Sequence, residues 1–490
     1  MSVRVGKTSS APAFPIAAKS VLQNEQLRQN VHNATNIIRG KRAQRVEEMP
    51  DWQQLRQSAS DIKAHTLAHL DHYLLQFERN CERAGGKVHW ARDADKANTI
   101  AIRLIRQYGG DGPGLEAIKV KTMTSDEIQM NAALEAAGIT PIETDLADMI
   151  VQMGHDEPSH IVVPALHKNR FEVAEIFRRT MNLPDLSDTP QDLANAARHY
   201  LRDRFLRVKI GISGANFAIA ETGAICVVES EGNGRMCLTM PDVLITLIGI
   251  EKVVPTFQDL DVFLQLLPRS ATGERMNPYN SFWTGVTPGD GPSAFHVILL
   301  DNGRTAQLHD ERERETLACI RCGACLNVCP VYRETGGHAY GSIYSGPIGA
   351  IISPQLQNLE HSRSLPYAST LCGACYEVCP VKINIPETLI HLRGRIVRED
   401  QKTLGGTLAV ENIAMQAAAK IFLNHRRYEA AQRLARTGQI LFERKGQLTN
   451  LPGMAGGWTK FRDLKPIPGF SFRDWWKARE KTNAAKEDVH

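Results

Sequence analysis

The sequence predicts an α/β domain with a mostly parallel sheet, followed by a helical cysteine-rich domain and a basic helical tail. Three observations carry this. Strand-like runs alternate with helical ones from residue 87 to 153; seven of the ten cysteines crowd between Cys319 and Cys379, a span of 61 residues (379 − 319 + 1); and positive charge collects in the last hundred residues. Strands interleaved with helices imply βαβ units and a parallel sheet. A chain of 490 residues, at about 150 residues per domain, suggests roughly three domains.

In order, residues 1–60 read as a leader and helical arm. Met1 to Leu22 carries Arg4, Lys7 and Lys19, while Pro12 and Pro15 break its small apolar stretch, so it reads as a frayed leader rather than a secretory signal. Asp61 to Gly85 has helical spacing through Leu67, Leu70, Leu74, Phe77 and Cys81 and stops at Gly85-Gly86. Strand-like Lys87–Ala91, Ala117–Met123 and Ile139–Thr144 are each followed by a helical run: Ala94–Tyr108, Ser125–Ala137 and Leu146–Met153. Leu193–Leu206 is a further helix. From Val208 the pattern becomes β-rich, over Val208–Phe217, Ala224–Glu229, Met236–Met240 and Val243–Val254, with Glu231-Gly232-Asn233-Gly234 as a hairpin turn. The strand Phe295–Leu300 closes an α/β domain over residues 61–301. Polar Asn302–Arg314 reads as a linker into a cysteine-rich domain over 302–395, and Leu408–Leu423 and Tyr428–Phe442 are the candidate helices of a basic region over 396–490.

The longest near-continuous apolar run, Val243–Ile250, falls far short of the 18 or so residues that cross a bilayer, so no transmembrane segment is expected. From His391 to His490 there are 19 Lys and Arg against 10 Asp and Glu, a local +9; since the whole chain is +4, the first 390 residues sum to −5. Such asymmetry suits a docking face or a solvated helical surface. Trp458, Trp475 and Trp476 sit in the same region and fit either docking or packing onto the chain itself. Clustered cysteines without an export signal read as metal binding in a reducing compartment, hence a cytoplasmic protein, rather than as a disulfide framework.

Residues 322–331 (CGACLNVCPV) and 372–381 (CGACYEVCPV) are identical at eight of ten positions and offset by 50, so one unit has been duplicated. With Cys319, the first copy is C-x2-C-x2-C-x3-C-P, the run that binds a [4Fe-4S] cluster in bacterial-type ferredoxins, the fourth cysteine serving the other cluster. Glycine at 323 is expected to let the backbone approach inorganic sulfide, and Pro330 to turn Cys329 away. The crossover assigns a [4Fe-4S] cluster 1 to Cys319, Cys322, Cys325 and Cys379, and cluster 2 to Cys329, Cys372 and Cys375. The repeat gives cluster 2 no fourth thiolate, because position 369 is Ser369. Cluster 2 is therefore either [3Fe-4S] or a [4Fe-4S] cluster with an open iron, with Ser369 as a weak fourth ligand. Structural zinc is the alternative for C-x2-C pairs, but seven cysteines do not divide into two four-cysteine sites. No nucleic-acid recognition motif appears.

CIRCGACLNVCPVYRETGGHAYGSIYSGPIGA (319–350) and SLPYASTLCGACYEVCPVKINIPE (364–387) resemble the lactate utilisation iron-sulfur protein B family. DEPSHIVVPALHKNR (156–170) and GISGANFAIAETGAICVVESEGN (211–233) resemble its LUD domain. The resemblance runs from about residue 60 into the tail. It implies an α/β LUD domain of the isomerase and coenzyme A transferase type, then an α-helical ferredoxin-like dicluster domain and a helical C-terminal region. It also implies an electron-transferring subunit of a system oxidising L-lactate to pyruvate, with a cysteine-rich subunit, a smaller LUD-domain subunit and an electron acceptor as partners. The family shares the three-cysteine second motif.

Within the LUD segment, Glu221-Thr222-Gly223 follows a strand, and Lys121, Glu143, His160, His167 and Lys168 could form a carboxylate site. The structural alternative, which fold-level analogy does not displace, has Glu221 satisfying a turn, Gly223 supplying backbone freedom, and the two histidines at strand ends. Gly109 to Gly114 (GGDGPG) lacks the spacing of a dinucleotide fingerprint, so catalytic residues stay unassigned.

Overall fold

The computed structural model describes residues 11–357 and 359–487. The first ten residues of the expected leader lie outside them. The chain forms two compact units, Met1–Gly394 and Arg395–His490.

Ten strands build the first unit: β1 (Lys87–Ala91), β2 (Leu115–Lys119), β3 (Ile139–Glu143), β4 (Ile210–Gly214), β5 (Phe217–Ile219), β6 (Ala224–Glu229), β7 (Val243–Gly249), β8 (Val253–Val254), β9 (Tyr279–Trp283) and β10 (Ala294–Leu300). Six form one sheet in the order β1-β10-β7-β4-β2-β3, with every pairing parallel. Val243 pairs with both Ala294 and Ile210, while Ile118 of β2 pairs with Gly211 of β4. Both faces are buried, as parallel sheets require. Leu244, Ile248, Phe295, Val297 and Leu299 pack on one face, and Val243, Ile245, Leu247, Ile298 and Leu300 on the other. The helix Ala94–Gly109 covers the second face through Ala97, Ala101, Leu104 and Ile105; Leu70–Arg83 and Pro190–Arg207 contribute Phe77, Cys81, Leu201 and Phe205 to the first. The β-rich middle contributes a smaller sheet in the order β8-β5-β6-β9.

Several sequence expectations change. Glu231–Gly234 is not a hairpin turn, and Met236–Met240 is not a strand. Gly232, at φ +85°, starts the helix Asn233–Thr239, and Glu229 accepts hydrogen bonds from the Gly232 and Arg235 amides. A side chain satisfying helix N-terminal donors outweighs local turn preference. The run 125–137 is two helices, Met123–Glu127 and Met130–Ala136, split at Gln129 (φ +53°). The 61–85 run is likewise two, Trp52–Ala68 and Leu70–Arg83. Strand β9 has no counterpart in the sequence reading. The described part of the leader includes the helix Phe14–Val21, which buries Phe14 with its ring 4.9 Å from that of Tyr340.

The polar stretch 302–314 is not a solvated linker. Arg304 is fully buried, bridging both Glu127 oxygens at 2.8 Å and bonding Glu251, while Glu127 also accepts from Asn302 (2.7 Å) and Tyr344 (2.6 Å). From Glu311 to Asp400 the described residues form α- and 3-10 helices. The second unit holds helices Val410–Phe422, His425–Gln439 and Phe472–Glu487 and a two-stranded hairpin. Within it the three tryptophans keep substantial exposure, with Arg462 over Trp458 and Arg479 over Trp475.

Candidate iron-sulfur centre and the adjoining pocket

The sequence repeat is a repeat of conformation. In the first copy Arg321 (φ +61°) and Gly323 (φ +72°) lead into the short helix Ala324–Val328, and Cys329 leaves it extended at φ −73°, ψ 119°. Fifty residues on, Leu371 (φ +55°) and Gly373 (φ +84°) lead into Ala374–Val378, and Cys379 leaves at φ −64°, ψ 118°. A Cβ at Gly373 would meet nothing within 4 Å, so its glycine answers to the left-handed backbone. At Gly323 the close neighbours are His160 and Val162, each 3.2 Å from a built Cβ. The loop thus packs against the α/β domain there.

Cys319, Cys322, Cys325 and Cys379 line one small cavity, closed by Ile348, Val381, Ile383 and Ile385. All ten cysteines are free thiols, so no disulfide competes for them. Burial pushes the Cys322 thiol up to about 12 and Cys379 up to about 11, with further upward pushes from Cys379 on Cys322 and from Cys319 on both. Burial likewise raises Cys329 and lifts Cys375 to about 12; Cys372 pushes both further up, and Cys329 adds to the push on Cys375. Cys379 thus shares a cavity with the first motif, Cys329 neighbours Cys372 of the second, and Cys375 also acts on Cys325, so the two sets adjoin. Backbone amides reach the sulfurs: Arg321 N donates to Cys319 Sγ (3.4 Å), Tyr332 N to Cys329 Sγ (3.5 Å) and Ile383 N to Cys379 Sγ (3.4 Å). Thiols so placed ionise only when metal displaces their protons, and amide donors offset the charge that results. The donor set fits iron-sulfur clusters.

Ser369 occupies the place of Cys319 in the repeat. Its Oγ accepts from Leu371 N at 3.1 Å, the same two-residue contact that Cys319 makes with Arg321. The second loop is also the open one, with Leu371, Cys372 and Tyr376 exposed.

Sequence reasoning missed the cations around the cavity that Cys379 shares with the first loop. Buried Arg56 donates to Cys379 O (2.9 Å) and Tyr376 O (3.1 Å), Arg42 donates to Val378 O (3.0 Å), and Lys63 bonds the Glu251 carbonyl. Their signal was available: Arg56 and Lys63 share the buried stripe of Trp52, Ala59 and Thr66 on one helix. Arg321 joins them, its guanidinium bonding Glu251 (3.3 Å) over the Tyr344 ring.

The proposed carboxylate set does not assemble. Glu143 pairs with buried Lys119 (2.8 Å) at the ends of β2 and β3. His160 and His167 lie in a loop rather than at strand ends. His160 Nδ1 accepts from Val162 and Val163 amides (3.0 Å each) and Nε2 meets Asn327 Oδ1 (3.3 Å), while His167 links Ser159 (2.8 Å) and Asp156 (3.0 Å), which also holds Lys168. Glu221 is exposed and accepts from Phe257 N (3.0 Å) at the start of the helix Phe257–Ala271. A Cβ on Gly223 would stand 2.1 Å from Cys81 N, so this glycine serves a close helix contact. Lys121 faces one pocket, lined by residues 120–123, 214–216, 227–231, Lys252 and Arg321 among others, and Glu143 lines a different one with Asp148 and Gln152.

The sequence matches the family model for the LUD domain over residues 74–300, a 4Fe-4S dicluster domain over 315–383 and the lactate utilisation protein B C-terminal region over 393–481. It is 41% identical over 485 residues to Lactate utilization protein B of Oceanobacillus iheyensis, covering 98% of each chain. This chain belongs to the lactate utilisation protein B family. Other members include the Lactate utilization protein B of Bacillus licheniformis, 42% identical over 94% of this chain and 95% of its own, and that of Bacillus subtilis, 39% identical over the full length of both. A crystal structure of a DUF162 family protein from Deinococcus radiodurans covers 47% of this chain and 98% of its own at 15% identity, with a TM-score of 0.25, too low to bear on the fold. In this member of the lactate utilisation protein B family no described helix is long and apolar enough to cross a membrane.

Proposed function

We propose that the protein is the iron-sulfur electron-transfer subunit of a cytoplasmic complex that oxidises L-lactate to pyruvate. The observation that carries this is the pair of matching cysteine loops, with Cys379 of the second lining one cavity with Cys319, Cys322 and Cys325 of the first. Those four residues hold a [4Fe-4S] cluster 1. Cys329, Cys372 and Cys375 hold cluster 2, a [4Fe-4S] cluster with an open iron or a [3Fe-4S] cluster, with the Ser369 hydroxyl at the fourth position. When bound, each cluster accepts and passes on one electron. The chain's own residues set the terms. Arg42, Arg56 and Lys63 place positive charge beside cluster 1, the apolar side chains of Ile348 and Ile383 keep water from it, and the exposed rim of Leu371, Cys372 and Tyr376 leaves cluster 2 reachable by a partner.

The partners in this reading are a cysteine-rich subunit, a smaller LUD-domain subunit and an electron acceptor. Anaerobic reconstitution tests it: L-lactate should reduce the clusters only when the two partner subunits are present. Lactate turnover by this chain after its iron is removed would refute the electron-transfer role. Metabolite binding with no reduction in the full assembly would favour a redox-sensing scaffold.

A further inference from the structure

The pocket that takes in Lys121 lies where an open parallel sheet places ligands. From β2 the chain moves outward to β3, whereas from β4 it moves the other way to β7 and β10. Connections from adjacent β2 and β4 therefore diverge, and a crevice opens beyond their carboxyl ends. Residues 120–123 after β2 and 214–216 after β4 line this pocket. Its cavity of about 210 Å³ falls below the roughly 300–1,000 Å³ typical of drug-sized ligands, a size for a metabolite of a few atoms rather than a nucleotide.

The polar groups on its wall divide by sign. The carboxylates are occupied: Asp145 accepts from the Ala147 and Asp148 amides (3.0 and 3.2 Å), Glu231 from Leu146 N (3.0 Å), and Glu229 from the amides of Glu231, Gly232 and Arg235. Among the cations, Lys252 donates to Ala215 O (3.0 Å) and one Arg321 nitrogen reaches Glu251 (3.3 Å), but two donors stay open. Lys121 Nζ is buried with no hydrogen-bond partner among the described residues, its ion pair with Asp148 being 3.8 Å long, and Arg321 Nε is buried and equally unpartnered. A buried ammonium or guanidinium N–H without an acceptor is costly, and a ligand carboxylate answers both. The buried Asn277 Oδ1 on the same wall also lacks a partner and can meet a hydroxyl. Asp145 and Glu231 would repel a second carboxylate. Arg321 belongs at once to this wall and to the first cysteine loop, where its amide meets Cys319.

We propose that this pocket binds a small monocarboxylate bearing a hydroxyl on its second carbon, with Lys121 and Arg321 as its carboxylate anchors and Asn277 Oδ1 accepting from that hydroxyl. This deepens the lactate-oxidation reading and rests on it for the choice among such acids. The ligand then sits across Arg321 from cluster 1.

Calorimetric titration of the anaerobically reconstituted full chain, without partners, tests the site using L-lactate, pyruvate, acetate and L-malate. L-lactate should bind at one site per chain, at least tenfold more tightly than pyruvate, acetate or L-malate, and should perturb the paramagnetic resonance of reduced cluster 1. Lys121→Gln should weaken binding tenfold or more with cluster content unchanged. Asn277→Ala should erase the preference over acetate and pyruvate, and Lys168→Gln, outside the pocket, should change neither. The proposal falls if L-lactate does not bind while both clusters are intact, if Lys121→Gln binds as well as the parent, or if pyruvate, acetate or malate binds equally well. If lactate reduces the clusters with partners present yet does not bind this chain, the site is wrong and electron transfer stands. If lactate binds this chain but no cluster is reduced in the full assembly, the site stands and the electron-transfer role is wrong.

Discussion

Replacing Arg304 with methionine should destabilise the first unit more than any surface charge change. The methionine fills comparable volume but leaves Glu127 and Glu251 in a site where both are buried. Burial alone would drive the Glu127 carboxyl up; Arg304, Asn302 and Tyr344 together hold it below the ordinary carboxylate range. Removing one partner of a buried pair costs about 3–5 kcal/mol. Unfolding entropy near 2.1 cal/mol/K per residue over the 394 residues of this unit gives about 0.8 kcal/mol/K, so Tm should fall by about 4–6 °C. Anaerobic scanning calorimetry of the cluster-loaded chain reads this directly. The double variant Arg304→Met/Glu127→Leu removes the Arg304–Glu127 pair and should recover at least half of the loss, because apolar replacement of a buried pair is often neutral and Glu251 keeps its contact with Arg321 (3.3 Å). A single variant melting within 1 °C of the parent would refute the argument, as would a double variant that melts lower still.

Cys379→Ala should change the paramagnetic signature of the cluster held by Cys319, Cys322 and Cys325, and Cys329→Ala that of the other; a Cys379→Ala effect confined to the Cys372 and Cys375 cluster would overturn the crossover. Mild oxidant should remove one iron reversibly from cluster 2 alone, since a serine hydroxyl is a harder, far less acidic ligand than a thiolate, and Ser369→Cys should abolish that loss and lower the cluster's potential in a redox titration. Arg56→Met removes a buried cation beside Cys379 and should lower the cluster 1 potential, because the reduced state carries the extra negative charge; an unchanged potential would mean that solvent already screens the site. Burial, with Asp145 adding to it, raises the Glu231 carboxyl to about 7. Below that pH it is neutral, so monocarboxylate binding should strengthen as pH falls from 8 to 6, and Glu231→Gln should flatten the dependence.

Much of this was legible in the sequence because it rests on local pattern. The strand–helix alternation needs only periodicity, and β1, β3, β6, β7 and β10 appear where apolar runs end in turn residues. The cysteine spacing carries its chemistry in a dozen residues. What stayed hidden depends on tertiary pairing. Residues 302–314 are charged and read as solvated, but Arg304 is neutralised by carboxylates 177 and 53 residues away. Glu229 bends a hairpin-like sequence into a helix start by reaching the Gly232 and Arg235 amides, which periodicity does not register. Lys121, Glu143, His160 and His167 do not form one site, because Lys119 holds Glu143, Asn327 meets His160 and Asp156 holds His167, while Lys121 turns to the pocket without a hydrogen-bond partner among the described residues.

The two copies of the cysteine loop differ in a way that bears on the direction of electron flow. The first is enclosed by the N-terminal helices and by the loop of His160, with Lys63 and Arg321 beside Cys319, while Arg42 and Arg56 bond the second copy where its Cys379 joins the cavity of the first. The buried group linking it to the α/β domain holds four cations (Lys63, Lys252, Arg304, Arg321) against two carboxylates (Glu127, Glu251), a net +2 from 4 − 2. An excess of buried positive charge is costly unless anions answer it, and thiolate-bound iron-sulfide clusters supply such charge. The second copy has Cys372 at the surface, and the position corresponding to Arg321 is Leu371, exposed. In the electron-transfer reading the inner cluster, beside the pocket wall, is placed to receive electrons, and the outer one, with Cys372 at the surface, is placed to hand them on. If that order holds, an acceptor's docking should protect the surface around Leu371 and Tyr376 from hydroxyl-radical footprinting and leave the pocket wall at Lys121 unprotected; protection at the pocket instead would reverse the proposed direction.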